Sequence, residues 1–99
     1  MVNKNSILDK VNFLLSIAKK GNCTVKELNE IVDLIPEHTD DMVLGRVFGY
    51  SVSDYALATL KWIGADKTVV EFETTLAEMS EARHEDVQKL IESKIYLEY

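Results

Sequence analysis

The chain is poor in cysteine, with Cys23 as the single thiol among its 99 residues. A disulfide within the chain needs two thiols, and a cysteine-based zinc site needs at least two Cys or His ligands at set spacings. Both are therefore excluded. A domain that folds without bridges suits a reducing compartment, so we expect the protein to be cytoplasmic.

Long apolar runs are lacking as well. No stretch approaches the roughly 20 apolar residues that a membrane-spanning helix requires. Residues 1–16 also lack the continuous apolar run and the small-residue cleavage site of a signal peptide. We therefore expect a soluble protein that has no membrane partner.

Glycine is scarce, and its four copies form no glycine-rich phosphate loop. Gly21, Gly49 and Gly64 each stand where a helical apolar pattern breaks off, which is typical of helix ends. Asn-Gly and Asp-Gly pairs are absent, and no segment alternates strictly between apolar and polar residues. The sequence therefore predicts neither hairpins nor strands.

Apolar residues make up 46% of the chain, enough for one core without disulfide or metal staples, and they recur at helical spacing. Helix starts are marked by Thr24 with Glu27 and by Thr68 with Glu71, each pair spaced as a capping box, and Pro36 ends the second segment. The predicted helical segments begin near residues 6, 24, 39, 51–53, 68 and 87, with either a turn or one longer helix at 80–84. The sequence therefore predicts an all-α, compact bundle of five or six short helices, forming a single domain over residues 1–99.

The charge is acidic and unevenly placed. The net charge is −6, yet residues 1–20 alone carry +3, so the remainder carries −9. Such a body repels phosphate backbones, and we expect no direct binding to nucleic acid. The acids could simply keep the surface solvated, or they could attract a basic protein partner.

The second and third segments resemble a helix-turn-helix, whose second helix would enter the DNA major groove. The residues at that entrance are His38, Thr39, Asp40 and Asp41, with Arg46 as the nearby base. Because the two carboxylates would be repelled by phosphates, a regulator or adaptor subunit built on this element is only the second hypothesis. A structural homo-oligomer is the third.

Residues that could do chemistry are isolated. Glu81 and His84 have the spacing of a di-iron ligand pair, but such sites need a second pair and two further glutamates. We interpret them, together with Arg83, as a surface ion-pair cluster. Cys23 precedes a helix start, but neither histidine has a signature that would orient it as a base. We therefore expect no enzyme activity, no metal and no cofactor.

The stretch from residue 33 to 55 combines carboxylates with aromatic side chains near two predicted turns, which suits a protein interface. In the alternative interpretation, Phe48 and Tyr55 fill the core and the acids are merely solvated. The predicted partner-binding residues are Asp33, Glu37, Asp40, Asp41, Tyr50, Asp54 and Tyr55.

In size, charge and helicity, the chain resembles the small acidic helical immunity proteins that neutralise bacterial nuclease toxins. The resemblance is one of class and covers no aligned motif, so it assigns no role to any residue. It implies an immunity or antitoxin type of inhibitor that binds a basic toxin or nuclease directly. Its oligomeric state is left open.

Overall fold

The computed structural model describes residues 7–37 and 46–98. The elements in these ranges are α1 Ile7–Lys20, α2 Val25–Leu34, β1 Arg46–Val47, β2 Tyr50–Ser51, α3 Val52–Ile63, α4 Asp66–Leu76, α5 Glu81–Ser93 and a terminal 3-10 helix Ile95–Glu98. The predicted all-α bundle is confirmed. Among the described helices, none is both long enough and apolar enough to cross a lipid bilayer.

Helix α3 is the centre of the fold. Every residue from Ser51 to Leu60 is buried, and α1, α2, α4 and α5 all pack against this helix. A helix buried on all sides must also satisfy its polar side chains inside the protein. Thr59 does so by donating its hydroxyl proton to the carbonyl oxygen of Tyr55 at 2.7 Å.

Local sequence signals place α1 and α2 as predicted. The hydroxyl of Thr24 accepts the backbone N–H of Glu27, and the Glu27 carboxylate accepts the backbone N–H of Thr24, which completes the capping box. Gly21, at φ +82°, supplies the left-handed residue after α1. Helix α2 ends at Leu34, two residues before Pro36. The predicted cap of α1, Ser6, lies outside the described residues.

The third predicted helix is wrong where the structure describes it. Residues 46–47 pair in antiparallel fashion with residues 50–51, so that Val47 lies opposite Tyr50. Between them, Phe48 and Gly49 have φ values of +54° and +87°. Positive φ at both central residues is the requirement of a type I′ hairpin turn, so the chain reverses here instead of completing a helix. The start of that segment lies outside the described residues. It includes residues 38–41, which would enter the DNA major groove in the helix-turn-helix hypothesis.

Helix α4 begins earlier than the capping pattern predicted. Ala65 is its N-cap and makes no side-chain cap hydrogen bond, while the hydroxyl of Thr68 donates to the Ala65 carbonyl oxygen at 2.9 Å. The prediction of a helix is therefore right and the assignment of Thr68 as its cap is wrong. After α4 the chain turns, and Ser80 caps α5 by accepting the backbone N–H of Arg83 at 3.4 Å. The helical conformation is interrupted at residues 77–80, so one long helix through this region is wrong, and residues 81–84 form the first turn of α5 instead of a turn between helices.

Candidate interaction surface

Three parts of the chain meet at the N-terminal end of α3. The backbone N–H of Ser53 donates to the carbonyl oxygen of Glu37 at 3.1 Å, which ties the segment after α2 to α3. The Ser53 hydroxyl accepts Nη2 of Arg83 at 2.7 Å, which ties α5 to the same place. Strand β2 runs directly into α3. We call this region, made of Glu37, residues 47–54 and Arg83, the hairpin end.

Asp54 is fully buried at the hairpin end. One carboxylate oxygen accepts the backbone N–H of Ser51 at 3.1 Å, and the other accepts Nε and Nη2 of Arg83 at 3.3 and 3.2 Å. The Arg83 side chain is itself only 16% exposed. Asp54 therefore caps α3 and fastens α5 to it, and its predicted role as a partner-binding residue is wrong.

The expected surface cluster of Arg83 with Glu81 and His84 is wrong for the same reason. The guanidinium of Arg83 points to Asp54, 29 residues away in sequence, instead of to its neighbours on α5. Nε2 of His84 makes a hydrogen bond to the carbonyl oxygen of Leu76, at the end of α4. The two side chains therefore connect α5 to α3 and to α4.

Tyr55 is also fully buried, and its hydroxyl donates to the carbonyl oxygen of Val47 at 2.8 Å. Burial raises the pKa of its phenol well above the ordinary value of 10.0, and the nearby charges of Tyr50 and Asp54 add to the effect. Tyr55 is therefore a neutral core residue, and its predicted contact with a partner is wrong. Tyr50 is half-buried and packs edge-on against Tyr55, with ring centroids 6.2 Å apart.

Two of the predicted carboxylates keep exposed surface. Asp33 is exposed on the last turn of α2, and Glu37 is exposed while it forms an ion pair with Lys10 of α1. Asp40 and Asp41 lie outside the described residues. Of the predicted set, the structure thus leaves Asp33 and Glu37, with part of Tyr50, on the described surface.

Phe48 belongs to the aromatic residues of the stretch 33–55, and the alternative interpretation places it in the core. The core interpretation is wrong, because the residue is 79% exposed at the tip of the hairpin, more than any other large apolar residue in the described ranges. The available signal was Gly49, because a glycine in the second position suits a two-residue hairpin turn. That signal was weak because the first position holds Phe48 instead of Asn or Asp.

The strongest concentration of charge lies elsewhere, on α4, α5 and the terminal 3-10 helix. Residues 66–98 contain nine carboxylates, and none of them is buried. Arg83 does not offset these acids because it pairs with Asp54 in the interior, which leaves Lys67, Lys89 and Lys94. The acids are Asp66, Glu71, Glu73, Glu78, Glu81, Glu85, Asp86, Glu92 and Glu98. We call this set of carboxylates, which is distributed over the outside of three elements, the acidic surface.

No group of three or more His, Cys, Asp or Glu side chains is placed to hold a metal ion in the part of the chain that the structure describes. Comparison with protein-family models, curated proteins and solved structures finds no match to this chain.

Proposed function

We propose that this chain is a small acidic binding protein that inhibits a basic protein, in the first place a toxin or nuclease, by direct protein–protein binding. The acidic surface carries the argument. The segment that carries it has nine carboxylates and only three lysines to offset them, because the charge of Arg83 is paired with Asp54 inside the protein. A surface of one dominant sign accelerates encounter with a partner of the opposite sign and disfavours partners of the same sign.

A nuclease is a suitable partner because proteins that grip nucleic acid do so with lysine and arginine, and so present positive charge. An acidic inhibitor competes for that same surface. We propose the cytoplasm as the place of action, since Cys23 is a free thiol and the described fold is assembled by packing and ion pairs.

The test is an inhibition titration with purified basic nucleases, beginning with the product of any toxin-like gene next to the gene of this protein. We expect loss of nuclease activity at a stoichiometric ratio, and an association rate that falls as ionic strength rises, because salt screens the attraction. Bovine serum albumin in place of the inhibitor, an acidic protein of unrelated structure, controls for unspecific charge effects. If no basic nuclease is inhibited, or if the association rate is indifferent to salt, the proposal is refuted.

A further inference from the structure

Phe48 combines two unfavourable features. Its backbone is in the left-handed region at φ +54°, where a bulky side chain is strained, and the residue is 79% exposed to water. The first position of a type I′ turn is normally Asn, Asp or Gly. Any of these residues at position 48 would relieve the backbone strain and would expose no aromatic ring. The stability of the fold therefore does not explain why phenylalanine occupies this position.

The turn is held firmly on both sides. The hydroxyl of Tyr55 is hydrogen-bonded to Val47, the residue before the turn, and the ring of Tyr50, the residue after it, packs against the Tyr55 ring. Both supports come from the buried helix α3. The exposed ring of Phe48 is therefore presented from a fixed platform, and preorganisation of this kind reduces the entropy lost on binding.

We propose that Phe48 is the apolar anchor of the interface, entering an apolar pocket on the basic protein partner. This inference rests on the proposed function. Buried aromatic residues are frequent among the few side chains that dominate binding energy, whereas charge at the rim mainly sets the association rate. The acidic surface and Phe48 thus have separate roles, the first in encounter and the second in retention.

The charge of the chain also indicates which kind of protein binds at Phe48. A second copy of the chain would bring two bodies of net charge −6 together, and like charges across an interface disfavour association. A basic protein meets no such penalty. Asp33, exposed on the last turn of α2, adds a carboxylate at this end of α2, whereas the charge of Glu37 is already paired with Lys10.

The experiment uses Phe48→Asn, which creates the preferred Asn-Gly turn. We expect its melting temperature to rise by about 4 °C or more, because the strain is relieved. With an inhibited basic nuclease as the probe, we expect the dissociation rate to increase at least about tenfold, while the association rate and its salt dependence stay unchanged. Loss of binding in a more stable protein could not result from misfolding.

Val25→Asn is the matched control. Val25 is 66% exposed but begins α2, about 15 Å of helix away from the Glu37 end. We expect this variant to dissociate like the unmodified protein. The same loss in both variants would mean that exposed apolar surface acts unspecifically, which would overturn the assignment of Phe48.

The remaining outcomes separate this inference from the proposed function. If Phe48→Asn dissociates like the unmodified protein, the anchor is wrong and the proposed function stands. If the unmodified protein binds no basic nuclease, both fall together. If sedimentation shows that the unmodified chain dimerises and Phe48→Asn does not, the occupant is a second copy and the assignment to a basic partner is overturned.

Discussion

Replacement of Arg83 by methionine tests the ion pair that joins α5 to α3. Methionine keeps much of the apolar stem but leaves the Asp54 carboxylate, which has no exposed surface, without its counter-charge. Removing one partner of a buried pair costs about 3–5 kcal/mol, since the remaining charge stays desolvated. For a chain of this length, that loss corresponds to a melting temperature lower by about 12 °C or more.

The assay is thermal and urea unfolding followed by far-ultraviolet circular dichroism. Lys20→Met is the matched control, because it removes the partner of Glu27 in an exposed pair and should leave the stability almost unchanged. Adding Asp54→Asn to Arg83→Met should recover part of the loss, since a buried amide costs less than a buried unpaired carboxylate. A loss of less than about 1 kcal/mol for Arg83→Met, or no recovery in the double variant, would refute the assignment of this pair as a buried link.

Three further predictions concern pH and the docking of the C-terminus. Burial raises the pKa of Tyr55, so the stability that its neutral phenol contributes is fully present below about pH 10 and is lost as the pH rises from there towards the raised value. In Tyr55→Phe, the free energy of unfolding should therefore depend less steeply on pH above about 10. The variant should also be less stable at neutral pH by about 1 kcal/mol, because it lacks the hydrogen bond of the hydroxyl. The hydrogen bond from the backbone N–H of Thr24 lowers the pKa of Glu27 below its ordinary value of 4.5. The stability that the Glu27 carboxylate contributes is therefore present above about pH 4.5 and is lost as the pH falls through the lowered value. In Glu27→Gln, the free energy of unfolding should depend less steeply on pH in that acidic range. Tyr96→Ala removes the ring that packs against Trp62, the single tryptophan, with ring centroids 4.8 Å apart and ring planes tilted by 47°. The fluorescence emission of Trp62 should shift to longer wavelength, and an unchanged emission would contradict the docking of the terminal 3-10 helix.

The helices were predictable from sequence where their signals are local. The capping box of Thr24 with Glu27 and the glycine ends at Gly21 and Gly64 depend on neighbours within a few residues, so the sequence pattern and the structure agree. The same short pattern failed at Thr68, because a threonine three residues before an acid also occurs within the first turn of a helix. A capping box by itself does not show which residue begins the helix.

The candidate site was less predictable because its geometry depends on distant partners. In the sequence, Asp54 resembles any acid in the first turn of a helix. Its carboxylate can be buried because it pairs with Arg83, which is 29 residues away in sequence. Tyr55 was a contact candidate because its neighbours in sequence are acidic, yet it lies on a helix buried on every side. The hairpin at Phe48 escaped prediction because its turn uses a residue that such turns normally avoid.

The most direct test of the central claim compares the salt dependence of association for the unmodified protein and for Glu81→Gln/Glu85→Gln/Glu92→Gln. These exposed acids lie on one helix, so their replacement reduces the acidic surface without touching the core. With a basic nuclease as partner, we expect the triple variant to associate more slowly, and the logarithm of its association rate constant to depend less steeply on ionic strength. Lys89→Gln, on the same helix, should associate faster than the unmodified protein. Identical rates and slopes for all three proteins would contradict the claim that these carboxylates attract the positive charge of another protein.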